Sequence, residues 1–389
     1  MLLVLALLVG CSFTAPADKP ESADKTLQIR RIDKESGFTL ADSARKDAAE
    51  NVVIVNSDDK VTVIVEVGDG ISAEYLRGSY ASLAELYNSE KGAALVAEMN
   101  SARENAMQAV AALGADVTDC ATYQTIVNGF SAVVEFGRIS EIEALSCVRN
   151  VAVAEEYASP EFTVSSVNDL FGGDGLFDNN TGYNGEGTLV AIIDTGIDYD
   201  HDAFQKEPEV QILSAEALGK VYKNTNAYAI CGGSAEDYYI SGKIPFAFDY
   251  ADRDTDAKPS DLSGQTVDAA PHGTHVAGIV AGNDDVIKGA ASEAQLAIMK
   301  TFYDAGGTNF SVILLALEDC LNLGVDMANL SLGSACGFSV ARDDDADFMN
   351  RVMDLAEKTG LSLFCASGNY NTANHDTDYN SLVLNENPD

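Results

Sequence analysis

The sequence predicts an α/β protein in which a doubly wound parallel sheet, with helices on both faces, follows a small α+β domain. From Gly187 onward, short apolar runs of strand length alternate with stretches of helical periodicity, which is typical of parallel sheets. Before residue 157 the order differs: one β-rich run, a long helical stretch, two β-rich runs, a short helix and a last β-rich run.

The strands predicted for the parallel sheet are continuous apolar runs. Residues 188–194 read Thr-Leu-Val-Ala-Ile-Ile-Asp, a pattern that suits a strand buried on both faces. The other predicted strands are residues 295–302, 325–332 and 361–366, with helices over residues 309–323 and 347–358.

The N-terminal pattern predicts the β-α-β-β-α-β order of a ferredoxin-like fold. Residues 61–67 are β-rich, and residues 79–113 have a helical period. The pair Asn128-Gly129 separates two β-prone runs and predicts a tight hairpin, because both residues tolerate positive φ. A helix over residues 139–145 and a strand over residues 148–155 complete the order.

The charge balance argues against nucleic acid as a partner. The chain has 61 acidic and 24 basic residues, a formal charge of −37, and such a surface repels phosphate backbones. A solvated acidic surface fits this balance, and so does calcium where carboxylates cluster. The seven cysteines have no C-x-x-C spacing, which argues against zinc and leaves disulfide pairing open.

The amino terminus predicts export. Residues 2–9 are almost all apolar but too few to cross a bilayer as a helix, so they match the core of a secretory signal. The run Leu8-Val9-Gly10-Cys11 resembles a bacterial lipobox, which implies a lipid on Cys11 and anchoring to the membrane at the extracellular face of a bacterial cell. The alternative is a signal peptide without lipid and a chance cysteine.

Three polar residues lie where the predicted parallel strands end or helices begin. Asp194 ends a strand, His272 begins a helix and Asn369 follows a strand, so all three should meet at the carboxyl edge of the sheet. Alone, Asp194 could bind a ribose or act as a nucleophile, although no G-x-G-x-x-G precedes it. His272 and His275 could bind a metal, but no H-E-x-x-H pattern is present.

Three segments resemble, in order, the motifs of subtilases, the subtilisin-like serine proteases. They are Asp194-Thr-Gly-Ile-Asp, His272-Gly-Thr-His-Val-Ala-Gly and Ala366-Ser-Gly-Asn, within about residues 185–371. The resemblance implies a serine endopeptidase with an Asp-His-Ser triad and polypeptide substrates. It implies that His272 is the general base, that Asp194 orients its imidazole, and that Asn369 stabilises the oxyanion. Ser331, Leu332 and Gly333 resemble the strand that pairs with the substrate backbone.

The preceding domain resembles the subtilase propeptide in Asn128-Gly-Phe-Ser-Ala and Val148-Arg-Asn-Val-Ala-Val. The resemblance implies a zymogen whose own propeptide assists folding and acts as an intramolecular inhibitor, with its tail in the substrate cleft. We expect processing between Tyr157 and Asn168. The predicted division is residues 1–11 as lipoprotein signal peptide, 12–58 as tether or pro-region, 59–157 as inhibitory propeptide and 158–389 as incomplete catalytic domain.

The 77 residues between Asp194 and His272 exceed those of compact subtilisins and resemble the larger cell-envelope proteases of the lactocepin kind. In this insert Asp252, Asp254 and Asp256 alternate as in a calcium loop, but the Gly and Glu that an EF-hand needs are missing. No cofactor is required by the predicted chemistry. A looser calcium site stays open and unassigned.

The family's serine motif, Gly-Thr-Ser-Met-Ala, does not occur in the sequence. We therefore expect that the chain is a fragment of the protease and that it does not hydrolyse peptides by itself. Two alternatives stay open: a pseudoprotease that binds peptides at the cell surface without cutting them, and, more weakly, a surface-adhesion lipoprotein.

Overall fold

A computed structural model describes residues 38–41, 52–55, 57–157, 183–259, 271–333 and 343–366. Cys11 and Asn369, with their predicted roles, lie outside these ranges. Strands β1 (Phe38–Ala41) and β2 (Val52–Val55) form a small antiparallel pair ahead of the two larger sheets.

The N-terminal unit, residues 57–157, contains a four-stranded antiparallel sheet. Its strands are β3 (Lys60–Asp69), β4 (Thr122–Tyr123), β5 (Val127–Glu135) and β6 (Asn150–Val153), in the spatial order β4-β5-β3-β6. Its helices are α1 (Ser72–Arg77), α2 (Leu83–Tyr87) and α3 (Glu90–Ala112) between β3 and β4, and α4 (Ile139–Glu143) between β5 and β6. This is the β-α-β-β-α-β order that the sequence predicts.

The hairpin predicted at Asn128-Gly129 is wrong, because both residues lie inside β5 and pair with β3. The chain turns earlier, over residues 124–126, and the register of β3 shifts between Glu66 and Gly68. Asn128 is buried, and its side chain accepts from Arg103 and donates to the carbonyl of Met99. The pair therefore serves packing within a strand and not a turn.

The second sheet has five parallel strands and lies in the C-terminal part of the chain. The strands are β8 (Leu189–Asp194), β9 (Phe246–Asp249), β10 (Gln295–Lys300), β12 (Met327–Leu330) and β13 (Ser362–Cys365), in the order β13-β12-β8-β10-β9. Four of them fall within the predicted runs. β9 was not predicted, because Pro245 directly precedes it and interrupts the apolar run at residues 244–248.

The remaining elements connect these strands. They are β7 (Glu156–Tyr157), α5 (Ala215–Val221), α6 (Asn226–Cys231), α7 (His272–Ala281), β11 (Thr308–Asn309), α8 (Phe310–Leu323) and α9 (Asp343–Thr359). None of the described helices is both long and apolar enough to span a bilayer.

Helices cover both faces of the parallel sheet, as predicted. Leu189, Ala191 and Ile193 of β8 pack in one apolar cluster with α8, whereas Val190 and Ile192 pack in another with α7. Successive side chains of a strand point to opposite faces, so the two clusters lie on the two sides of the sheet.

Helix α8 is buried along its whole length of 14 residues. Asn309 caps its first turn by accepting from the Ser311 N–H, and Gly324 ends it with a left-handed φ of 72°. One side of α8 packs on the parallel sheet, and the other side packs on the N-terminal unit through residues such as Tyr123, whose hydroxyl donates to the Ser311 carbonyl at 3.0 Å. The two units therefore share one continuous core.

Gly129→Ala should destabilise the N-terminal unit. A Cβ at this position would come within 2.5 Å of the Val65 carbonyl oxygen, so the β3–β5 pairing would have to move, at a cost of about 1–3 kcal/mol. Thermal denaturation should show a lower midpoint. The matched control is Gly219→Ala in α5, where no atom lies within 4 Å and alanine should stabilise the helix by up to about 1 kcal/mol. Equal midpoints for the two variants would contradict the close packing.

Candidate active site

Asp194 is the last residue of β8 and is completely buried. The chain leaves the strand through Gly196, whose φ is 91°. The first turn of α7 approaches this point closely: a Cβ on Gly273 would lie 2.3 Å from the Gly196 carbonyl oxygen and 3.1 Å from Asp194 Oδ1. Only glycine at position 273 allows the start of the helix to come so near the carboxylate.

The structure brings Asp194 and His272 together. His272 Nδ1 lies 2.8 Å from Asp194 Oδ1 and 3.0 Å from Oδ2. The Thr195 N–H donates to the same Oδ1 at 2.7 Å, and Thr195 Oγ1 accepts from the Gly273 N–H at 3.1 Å. These bonds hold the carboxylate against one ring nitrogen of His272, whose side chain is 14% exposed.

Two opposing influences act on the imidazole of His272. Burial favours the neutral ring and lowers its pKa, whereas the hydrogen bond and the negative charge of Asp194 favour the cation. The carboxylate outweighs burial, so the pKa of His272 is raised above its ordinary value. One turn along α7, burial and the neighbouring His272 lower the pKa of His275. Within the part of the chain that the structure describes, neither histidine belongs to the group of side chains close enough to hold a metal ion.

A strand of the N-terminal unit pairs with a short segment that follows β10, and the two form a separate two-stranded sheet. β10 ends at Lys300, which pairs with Asp194, and the chain then turns through Gly306 and Gly307 into β11. β11 pairs antiparallel with β7, so that Thr308 faces Tyr157 and Asn309 faces Glu156. Sequence analysis missed β11, because a two-residue strand becomes visible only with its partner.

The contact between residues 155–157 and this segment extends to the first residue of α8, and Tyr157 of β7 is buried. The Phe310 N–H donates to the Glu155 carbonyl at 2.9 Å, and Tyr157 is 2% exposed. Pairing of an extended segment with a sheet edge is a common way of binding a peptide.

Ser331, Leu332 and Gly333 follow β12 directly. Asn329 pairs with Ile192, so the register places Ser331 level with Asp194 on the neighbouring strand. The Ser331 hydroxyl donates to Asn329 Oδ1 at 2.8 Å, and Leu332 is buried. Within the described ranges β7 pairs with β11 and not with residues 331–333. The substrate-binding role of residues 331–333 stays a prediction.

Three aspartates at the same edge are close enough to hold a metal ion: Asp249, Asp252 and Asp304. The ammonium of Lys300 bonds to Asp249 Oδ2, lies 3.0 Å from Asp304 Oδ1 and lies 3.4 Å from Asp252 Oδ2. Burial raises the pKa of Asp249 to about 6 against the opposing effect of this ammonium. The positive charge among the carboxylates therefore comes from the chain itself, and calcium stays unassigned.

The alternating aspartates of the insert do not converge as the ligands of one ion. Asp252 belongs to the cluster around Lys300, whereas Asp254 Oδ1 accepts from the Asp256 N–H at 2.9 Å. Asp256 Oδ1 in turn accepts from the Lys258 N–H at 3.2 Å. The second and third carboxylates thus stabilise successive turns of the backbone.

The sequence profile described as "Subtilase family" matches residues 185–385, more than half of the chain. The chain belongs to the subtilase family. The PI-type proteinase of Lactococcus lactis subsp. cremoris is 29% identical, and the PII-type proteinase of Lacticaseibacillus paracasei is 30% identical, each over 86% of this chain. Minor extracellular protease Vpr of Bacillus subtilis is 26% identical over the same share.

This subtilase chain spans 17% of the length of each of the two proteinases and 36% of Vpr. The similarity to all three relatives reaches further toward the amino terminus than the family profile. That profile begins at residue 185, and an alignment over 86% of the chain must include residues of the N-terminal unit. The N-terminal unit and the parallel sheet therefore occur together in these relatives.

Asp194→Asn should lower the pKa of His272. An amide keeps the size of the side chain but removes the charge that favours the imidazolium, so that burial alone acts on the ring. NMR titration of the imidazole signals in the two proteins measures the change. Asp202→Asn, at an exposed aspartate, is the control and should leave the titration unchanged. An unaltered His272 titration in Asp194→Asn would show that the carboxylate does not act on the ring.

Proposed function

We propose that the protein is the precursor of a subtilase serine endopeptidase, and that residues 59–157 form its inhibitory propeptide. The observation that carries the proposal is the pairing of buried Asp194 with His272 Nδ1 at the carboxyl edge of a parallel sheet. This pairing leaves Nε2 of the imidazole for a proton from a nucleophile, the arrangement that acyl transfer requires.

The roles of the three site residues follow from the reaction. His272 takes the proton of a serine hydroxyl and later gives it to the leaving amine. Asp194 holds the ring in the tautomer with its proton on Nδ1 and stabilises the imidazolium that forms. The side-chain amide of Asn369 donates to the oxyanion. We assign the serine to sequence beyond Asp389, since the chain spans only part of the length of its relatives.

Peptides in an extended conformation are the proposed substrates. The pairing of β7 with β11 supports this, because an extended segment of the chain itself binds antiparallel to β11 through backbone hydrogen bonds. In the propeptide, residues 155–157 would occupy the place of a substrate beside β11, and Ser331, Leu332 and Gly333 would form the opposite wall of the cleft. Processing after Tyr157 would then free the cleft.

A buried glutamate with two half-exposed arginine partners supports the docking of the N-terminal unit. Glu66 on β3 is 1% exposed and lies between two arginines. Arg351 of α9 reaches it with both terminal nitrogens, at 3.2 and 2.8 Å, while Arg149 of the N-terminal unit lies 3.4 Å away. A bidentate guanidinium is a directional partner for a carboxylate, so this contact fixes how β3 lies against α9.

We propose that the protein is exported and held at the cell surface by a lipid on Cys11. The apolar leader and the Leu-Val-Gly-Cys run support this assignment, and one relative, Vpr, carries the word extracellular in its name. The strongly acidic composition argues against nucleic acid as a partner, because a negative surface repels phosphate groups.

The protease role can be tested on the protein extended through its serine motif. It should hydrolyse casein and react with a fluorophosphonate, whereas the chain ending at Asp389 should do neither. Asp194→Asn should lower kcat by about 10⁴-fold, since the wrong tautomer cannot serve as base. Asp202→Asn is the control. Undiminished labelling of His272→Ala would refute the proposed base, and an extended protein without any activated serine would favour the peptide-binding alternative.

Arg351→Ala should weaken retention of the N-terminal unit. Glu66 would keep only Arg149 at 3.4 Å, and because Arg351 is about half exposed its loss should cost about 1 kcal/mol, or roughly fivefold in the dissociation constant. The measurement follows release of the unit after the link over residues 158–182 is cut. Lys358→Ala on the same helix removes an exposed pair with Asp354 and should leave release unchanged. Equal release from both variants would contradict the proposed contact.

A further inference from the structure

Two neighbouring acids of α8, Glu318 and Asp319, are completely buried between the two units. The Glu318 carboxylate accepts from four successive backbone N–H groups in and after the turn that follows β4. The distances are 3.0 Å from Gln124 to Oε2, and 2.8 Å from Thr125, 2.7 Å from Ile126 and 3.4 Å from Val127 to Oε1. Glu318 therefore binds the backbone of the N-terminal unit.

Asp319 is bound by residues of the catalytic unit. It accepts from the Asn226 N–H at 2.6 Å, from the Ala227 N–H at 3.0 Å and from the Tyr250 hydroxyl at 2.8 Å. Its partners thus stay in place when the N-terminal unit leaves, whereas Glu318 loses the turn and keeps only the Asn226 side chain, 3.2 Å from Oε2.

No ion pair joins either carboxylate to a lysine, arginine or histidine of the described residues. This distinguishes the pair from Glu66, which has two arginines. The guanidinium of Arg103 acts on Glu318 only from a distance, since its nitrogens bond to Tyr123 O, Asn128 Oδ1 and Asn100 Oδ1. The titratable groups that interact with the pair include Arg103, Tyr87 and Tyr123 of the N-terminal unit, and Tyr238, Tyr250 and Cys320 of the unit that contains the parallel sheet.

Burial without a counter-ion favours the protonated acids. It raises the pKa of Glu318 to about 7 and that of Asp319 to about 6, and this effect exceeds the opposing effect of the hydrogen bonds. The negative charge of Asp319 raises the pKa of Glu318 further. Once the turn over residues 124–127 has left, water reaches Glu318, and its pKa returns toward the ordinary value for a glutamic acid.

We propose that docking of the N-terminal unit is coupled to the uptake of a proton by the buried Glu318–Asp319 pair, so that the unit is held more tightly in acid and released as the pH rises to neutrality. The proposal rests on the proposed propeptide role and adds a condition for its release.

The direction in which docking affinity changes with pH follows from proton linkage. The docked state has the higher pKa and binds the proton more strongly, so docking gains affinity as the pH falls below about 7. Between about pH 5 and 7 one proton is bound on docking, and the dissociation constant should rise about tenfold per pH unit. Above this range the dependence should level off, since Glu318 is then ionised in both states.

The experiment uses the full chain with a specific protease site placed within residues 158–182. After cutting, the complex is immobilised through its C-terminus, and dissociation of the N-terminal unit is measured from pH 5 to 8. The wild type should release the unit about tenfold more readily per pH unit up to about pH 7. Glu318→Gln cannot titrate and is a neutral analogue of the protonated acid, so it should show a flat profile, with docking about as tight as that of the wild type in acid. Glu216→Gln, at an exposed glutamate paired with Lys220, should keep the wild-type slope.

Two outcomes separate this inference from the propeptide role. A unit that stays bound with the same affinity at every pH, or a slope that survives in Glu318→Gln, overturns the proton coupling and leaves the propeptide role intact. A unit that falls away at every pH overturns both. If Glu318→Gln does not fold, carboxyl ¹³C NMR of the uncut wild type decides: Glu318 should titrate near pH 7, and an ordinary glutamate titration overturns the coupling.

Discussion

The burial of helix α8 on two opposite sides is the constraint on which the rest of the structure depends. All 14 of its residues are buried, because the parallel sheet covers one side and the N-terminal unit covers the other. Apolar side chains fill the sheet side, and polar contacts such as the one between Tyr123 and Ser311 lie on the other. The interior of each unit thus continues into the other, so the N-terminal unit completes the core of the unit that contains the parallel sheet.

The candidate active site follows from the same packing. Parallel register places the end of β8 next to the end of β10, and α7 begins directly above that edge. Because Gly196 and Gly273 have no Cβ, the two backbone segments lie close enough for the Asp194 carboxylate to bond to the His272 imidazole. Strand β11 leads straight into α8, so the helix that packs on the N-terminal unit also positions the strand with which β7 pairs.

The buried carboxylates between the two units have two different kinds of partner, charged and uncharged. Glu66 has two guanidinium partners, one from each unit, so its charge is compensated and its geometry is directional. Glu318 and Asp319 have only backbone, hydroxyl and amide donors, so their charge is costly in a dry interface. A fixed contact and a contact that responds to protons can therefore lie side by side in one surface.

The sequence by itself determined the elements with strong local patterns: the continuous apolar strands, helix α8 and the placement of Asp194 and His272 at the start or end of an element. It did so because strand and helix periods, and the polar residue that ends an apolar run, are local properties. Tertiary structure alone decided the rest. Strands β9 and β11 form only beside their partners, Asn128-Gly129 lies in a strand because β3 pairs with it, and Glu318 meets a turn about 190 residues away in the chain. Contacts at such separations depend on how the units pack, and no local pattern records that packing.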